Sequence, residues 1–449
     1  MRNQTLESLN PRILEPFSCV TIFGMKRVVV TGIGAITPLG NSFHESWEAA
    51  KAGLSGIGLI TRFDTSEIKW KVAGELKGFD ATKYLSQKEI NRLDPFVQYA
   101  VAASMMAAED AGLISLNSLL VTRHSSLDSG GVIIGSSRGG ISTIEKEFQR
   151  KYSSLVTHHA SRVSAYLMPS TTISMASSYV AQKLGIKGYC LGISNACASG
   201  TNAIGEAFRL IRSGYQGPLL CGGAEAPICR ICVEGYGVSG ALSKVHDSSA
   251  SRPFDRTRDG FVIAEGACIL VVEDYEAALK RGSKIYGEII GYGNTTDAFH
   301  QTIPLPEGEA KAMRLAIDEA GLRTDDIDYI NAHGTSTPLG DKTETETIKI
   351  VFGKRAKEIP VSSVKSMTGH MLAASGALEA AFTLMGMNEG IILPTINLKE
   401  ADPECDLDYV KETRKAEVRA ALSNSFGFGG VNAVLVFRRL QDVDNILMS

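Results

Sequence analysis

The sequence predicts an α/β fold. Short apolar, β-branched runs recur along the chain, and most are followed by stretches with helical spacing. Glycine, serine and threonine also cluster where strands hand over to helices, which is where α/β folds place their chemistry. The first strand is "RVVVTGIG" (27–34), and 81–113 then reads as helix, its small-residue stripe serving packing. Strands follow at "GGVIIGS" (130–136), "GPLLCGGA" (217–224) and "CILVVEDY" (268–275). "IYGEIIGYG" (285–293) opens a second pass in the same order. That pass has a helix near 309–320, a strand ending at Ala332, a helix, a strand at 359–364 and another helix. It closes with a hairpin, "AALSNS" and "AVLVFRR", around a glycine-rich turn.

Four loops carry chemistry. "GISNACASGTNA" (192–203) places Cys197 among small residues at the start of a helix-compatible run. Free backbone N–H groups and the helix dipole favour thiolate there. "YINAHGTSTPLGDKTETE" (329–346) places His333 just after a strand, with Asp341 opening an acidic helical stretch. "IPVSSVKSMTGHMLAASGALEAAF" (359–382) places Lys365 and His370 in a second loop after a strand. "GFGG" (427–430) lacks the strand, G-x-G-x-x-G and helix of a dinucleotide fingerprint. It reads either as a plain hairpin turn or as backbone N–H groups offered to an anion. Each segment has a plainer reading, such as a buried structural cysteine or a satisfied core histidine. Their joint occurrence argues for a site.

In order, "KRVVVTGIGAITPLG" (26–40), "NACASGTNAI", "SRPFDRTRDGFVIAEGA" (251–267), "NAHGTSTPLGD", "VKSMTGH" and "NSFGFGGVN" form a specific signature. It resembles the β-ketoacyl-[acyl-carrier-protein] synthases of the elongating type, the synthase II group most of all, from about Lys26 to Arg438. The resemblance implies the duplicated thiolase fold, with five α-β-α-β-α layers, a typical homodimer and an active site between the halves. The first half (25–276) would carry the nucleophile and the second (277–449) both histidines. It implies that Cys197 takes the acyl group as a thioester. His333 and His370 would then hold the malonyl thioester carbonyl and favour loss of carbon dioxide. The N–H groups of Cys197 and Phe428 would form the oxyanion hole. Lys365 would order the site, with Asp341 and Glu344 as its acidic neighbours. Thr335 and Thr337 would bind the phosphopantetheine arm, and Phe428 would gate acyl entry. The acyl carrier protein (ACP) would dock near Lys88 and Arg92, in a segment that otherwise reads as a solvated helix face. No enzyme-bound cofactor or metal is implied, since the substrates ride on the carrier's arm.

Arg138 in "IIGSSRGGIS" departs from the apolar residue usual at this point of the acyl pocket. A buried arginine needs a partner, and an alkyl chain is a poor one. Arg138 has three readings: it reaches solvent or pairs with an acid such as Glu145, it shortens the pocket, or it selects a polar-ended acyl group. A thiolase would need a second cysteine near the C-terminus, and "NSFGFGGVN" has none. An inactive chain-length factor would lack Cys197.

The 449 residues, 44% hydrophobic and 21% charged, suit about two or three globular domains. A net charge of −3 argues against nucleic-acid binding. No stretch is apolar enough to span a membrane, and residues 1–24 lack the basic start and apolar core of a secretory signal. That extension is expected to be poorly ordered. Eight scattered cysteines fit a reducing compartment, so a cytoplasmic location is expected. Cys229 and Cys232 form a C-x-x-C with no second pair at zinc-site spacing, so coincidence is the plainer reading. Cys197, His333 and His370 on separate glycine-rich loops are an uncommon way to build a zinc site.

Overall fold

The computed structural model describes residues 25–115, 122–156 and 162–440. The 1–24 extension lies outside the described residues. Eleven strands form one mixed sheet: β1 (Val28–Ile36), β2 (Gly131–Gly135), β3 (Cys190–Ile193), β4 (Leu219–Glu225), β5 (Gly266–Asp274), β6 (Gly287–Thr296), β7 (Tyr329–Asn331), β8 (Pro360–Ser362), β9 (Asp408–Tyr409), β10 (Ala420–Gly427) and β11 (Val431–Arg438). The helices that frame the site are α1 (Pro95–Asp110), α2 (Ile141–Val156), α3 (Ser199–Arg212), α4 (Arg230–Val238), α5 (Pro306–Glu319), α6 (Pro338–Phe352) and α7 (Ser375–Glu389).

The strand order is β9-β8-β7-β10-β11-β6-β1-β5-β4-β2-β3. Setting aside β9, each half repeats one topology. Counting strands within a half, the order is third, second, fourth, fifth, first. The first three of these are parallel, and the last two run antiparallel to their neighbours. The halves join where β1 pairs antiparallel with β6, Val28 opposite Ile289. Both passes inferred from the sequence are therefore present as a duplication.

Helices complete five layers. α1 covers β1, β5 and β4 on one outer face, and α5 covers β6 and β11 on the other, with α6 packed against it. Between them α3 and α7 cross in the centre. Strands covered on both faces read as unbroken apolar runs; all nine residues of β1 and of β5 are buried. α7 is apolar nearly all round, as a helix in a central layer must be. α3 also lies close to the turn that leads into α7: a Cβ on Gly200 would stand 2.4 Å from the carbonyl oxygen of Ala373.

The single helix expected over 81–113 is a correction. It divides into a turn at Ala81–Lys83, a short helix Gln87–Ile90 started by a Ser86/Glu89 capping box, and α1. Asp94 is the physical cause: its side chain accepts from the Phe96 N–H, and Pro95 occupies the first helical position. Strand β3, "CLGI", escaped the sequence reading because it is short and interrupted by glycine.

Candidate active site

Cys197 lies in a one-turn 3-10 segment, Ala196–Ala198, between β3 and α3. The turn is sharp, and Ala196 takes φ +46. His333 follows β7, and His370 follows the short helix Lys365–Thr368 after β8. Leu372, two residues on, also takes φ +46. Non-glycine residues in this region cost about 1–3 kcal/mol each and gather at functional sites. The loop after β3 thus delivers the thiol, and the loops after β7 and β8 deliver the two imidazoles.

His370 Nε2 is 3.0 Å from Cys197 Sγ, and His370 Nδ1 is 3.0 Å from Ser375 Oγ. The His333 ring stands edge-on to that of His370, centroids 5.3 Å apart. Both histidines are buried. Burial, then the positive Lys365, holds His333 and His370 well below the usual imidazole range. Both rings are therefore neutral at neutral pH. Burial also pushes the Cys197 thiol up to about 11, against the opposing pull of Lys365, the Phe428 N–H and Arg138. The resting pair is a thiol beside a neutral imidazole. The Phe428 N–H points at the sulfur, and Gly427 lies against the Cys197 backbone nitrogen.

A cavity of about 320 Å³ opens onto these groups, lined also by Thr335, Thr337, Tyr236 and Phe428. Thr335 and Thr337 share a hydrogen bond of 3.0 Å, and Thr337 also caps α6 through the Gly340 N–H. Phe428 is partly exposed at the wall, its ring 6.3 Å from that of Tyr236.

The expected setting of Lys365 needs correction. Lys365 is fully buried, and its ion-pair partner is Glu379 on α7. Glu344 lies near enough to feel the Lys365 charge, but its oxygens accept from the His333 and Gly334 N–H groups (2.8 and 2.7 Å) and from Asn424. It holds the histidine turn in place. Asp341 faces Arg258 and accepts from the Phe254 and Ser336 N–H groups. The helical register of α6 directs these two carboxylates to different neighbours.

Arg138 is exposed and does not pair with Glu145. Its Nε and Nη2 donate to the Tyr236 hydroxyl at 2.9 and 2.5 Å. Glu145 instead accepts from the Arg230 and Ile231 N–H groups at the start of α4. Lys88 and Arg92 are exposed, and Arg92 lies over the Tyr166 ring at 4.3 Å.

Sequence reasoning missed four contributors: Glu379, Ser375, Tyr236 and Glu225. Glu225 is buried and accepts from Ser136, from Ser137 and from the Arg138 N–H. Glu379 left a readable signal, a lone acid in the apolar helix "SGALEAAFTLMGM". The ligand atoms of Cys197, His333 and His370 lie within 4.8 Å of one another, close enough to hold a metal ion. No fourth histidine, cysteine or carboxylate joins them among the described residues.

Known proteins share the sequence and the fold of this chain. Residues 25–278 match the family "Beta-ketoacyl synthase, N-terminal domain", and residues 286–399 match "Beta-ketoacyl synthase, C-terminal domain". The chain is 48% identical over 421 residues to a 3-oxoacyl-[acyl-carrier-protein] synthase 2 of Synechocystis sp., covering 93% of this chain and 99% of that protein. Among solved structures, the ishigamide ketosynthase/chain length factor superposes with a TM-score of 0.86 at 35% identity, covering 93% of this chain and all of that one. A type II polyketide ketosynthase, solved in complex with its acyl-carrier protein, gives 0.83 at 32% identity with the same coverage. Duplicated topology, thiol and paired imidazoles at the seam, and these matches make one conclusion: the chain belongs to the β-ketoacyl synthase family.

Proposed function

We propose that this protein is a β-ketoacyl-ACP synthase of fatty acid elongation. It joins malonyl-ACP to an acyl group held on Cys197, giving β-ketoacyl-ACP, carbon dioxide and free ACP. The observation that carries the reading is the 3.0 Å contact between Cys197 Sγ and a neutral His370, with His333 against the same ring. In the first half-reaction sulfur attacks the acyl thioester beside the His370 ring, the bond from acyl carbon to carrier sulfur breaks, and the thiol proton passes to the departing carrier thiolate. In the second, malonyl decarboxylation leaves charge on its thioester oxygen, where the two imidazole N–H groups donate. Losing one such donor costs about 3–4 kcal/mol. The enolate carbon attacks the Cys197 thioester, whose oxyanion the Cys197 and Phe428 N–H groups stabilise. The C–S bond breaks, and the cysteine thiolate takes up a proton from water.

Thr335 and Thr337 hold the carrier's phosphopantetheine arm in the cavity, and Phe428 gates it. Lys88 and Arg92 receive the acidic carrier. The halves divide at 276/277. The catalyst needs no bound cofactor, and it works in the cytoplasm as a homodimer. No helix among the described residues is long and apolar enough to cross a membrane.

The Arg138–Tyr236 pair favours a second reading, a ketosynthase of a specialised pathway with a restricted acyl pocket. Intact-protein mass after incubation with a ladder of acyl-ACPs tests both. Elongation predicts adducts across medium and long chains, absent in Cys197→Ala; adducts with short or polar acyl groups alone would favour the second. Cys197→Ala is also expected to lose condensation while sparing some malonyl decarboxylation. β-Ketoacyl product from that variant would remove Cys197 as nucleophile.

A further inference from the structure

The C-x-x-C at Cys229 and Cys232 has no part in condensation, yet its placement is specific. Cys229 is the N-cap of α4, with extended backbone (φ −139, ψ 162), and Cys232 lies three residues on in the first turn. Helix geometry puts such Cα atoms about 5–6 Å apart, within disulfide range. The two thiols lie close enough to shift one another, Cys229 upward and Cys232 downward. Both belong to the apolar cluster against which Cys197 packs. They retain 6% and 8% exposure, whereas Cys221, Cys268 and Cys405 retain none.

α4 connects the pair to the site. Tyr236 is one turn beyond Cys232, lines the catalytic cavity and accepts both Arg138 hydrogen bonds. Its ring packs edge-on to Phe261, which packs edge-on to His370. Arg138 also lies near enough to Cys232 to draw its thiol down, behind the larger effect of the hydrogen bond from Cys229. Glu145 occupies the Arg230 and Ile231 N–H groups, so those donors cannot stabilise a thiolate at the N-cap.

We propose that Cys229 and Cys232 are a reversible dithiol–disulfide site that controls the Tyr236 wall of the catalytic cavity. The oxidant is a small-molecule disulfide. Cys232 thiolate attacks one of its sulfurs, forming a mixed disulfide and expelling a thiolate. Cys229, losing its proton to solvent, then attacks the Cys232 sulfur and expels the second thiolate. Two electrons pass from the pair to the oxidant. Contraction to an S–S bond of about 2.05 Å pulls in the first turn of α4 and shifts Tyr236.

The test equilibrates the full chain in buffers of oxidised and reduced dithiothreitol, blocks free thiols after acid quench, and maps tryptic peptides without reduction. Trypsin cuts after Arg230, so the two cysteines fall on separate peptides that a disulfide keeps joined; Cys221 shares the Cys229 peptide, and Cys229→Ser tells the two apart. We expect that joined pair, its loss on reduction, and its absence in Cys229→Ser. Condensation by the oxidised wild type should fall about tenfold and recover with dithiothreitol, as sub-ångström to ångström misplacement near reacting groups produces. Cys229→Ser should keep its rate under the same oxidation. Failure to find the joined peptides overturns the proposal, whatever the activity. Joined peptides with an unchanged condensation rate overturn control of the cavity wall.

Discussion

At the residue scale the site depends on charge held out of water. Lys365 and Glu379 pair in the interior, with side-chain exposures of 1% and 2%. Removing one partner of such a pair leaves an uncompensated charge and costs about 3–5 kcal/mol. Glu379→Ala should therefore lower the denaturation midpoint by that equivalent, measured by chemical unfolding. Lys365 has a second effect through the histidines. Burial is the main reason both imidazoles stay neutral, and the lysine charge adds to it. Removing that charge makes protonation easier, so imidazolium forms at higher pH. Lys365→Met should move the acid limb of the malonyl-decarboxylation rate to higher pH, read in a Cys197→Ala background so that acyl transfer does not intervene. An unmoved limb would mean that Lys365 acts only through packing. Arg138 is not among the residues that line the cavity, but its hydrogen bonds fix the hydroxyl of Tyr236, which does line it. Arg138→Ile is expected to widen acceptance of long acyl-ACPs in a competition assay; an unaltered chain-length profile would remove Arg138 from control of the pocket.

At the element scale the sequence conveyed what periodicity can carry. Strands at 28–36, 131–135, 219–225, 266–274 and 287–296 were legible because doubly covered strands are long apolar runs. The closing hairpin was legible for the same reason, the loops of His333 and His370 because each follows a strand, and Cys197 because small residues surround it at the start of a helical run. What escaped depends on three-dimensional neighbours. β3 has four residues and exists through pairing with β2. The partner of Lys365 comes from α7, fourteen residues on, and helical register within α6 turned Asp341 toward Arg258 instead. The hydroxyl that receives Arg138 comes from α4, ninety-eight residues away. Close helix contact is likewise invisible to spacing. Gly200 has Ala373 backbone where its Cβ would stand, and backbone cannot swing aside. Gly200→Ala should cost about 1–3 kcal/mol and weaken condensation, because Gly200 sits on the helix after Cys197 and Ala373 on the turn after His370. Stability and activity that both match wild type would mean the contact relaxes without disturbing the site.

At the scale of the whole molecule, the duplication leaves one sheet end in need of cover. β3 ends the eleven-stranded sheet with an unpaired edge, and Cys190 on it is exposed. Around that edge, Phe148 and Tyr152 on α2 are 74% and 71% exposed, and Met168 on the short helix Leu167–Thr171 is 67% exposed. Contacts run from α2 through Leu167–Thr171 and the helix Met175–Leu184 to β3, so these side chains surround a continuous region. An open strand edge beside large exposed apolar groups is a surface for another chain. A second copy fits best, because a two-fold axis at β3 would set edge against identical edge and close the assembly. Light scattering should give twice the 48.0 kDa chain mass. Phe148→Asp combined with Met168→Asp should shift that mass toward one chain, through two charges buried against apolar surface. The catalytic groups named above all come from one chain, so Cys197 should still accept acyl groups in the dissociated variant, although more slowly if Arg138 and its surroundings relax. A single-chain mass for the wild type at micromolar concentration would rule out the two-fold assembly and leave this edge for a different partner.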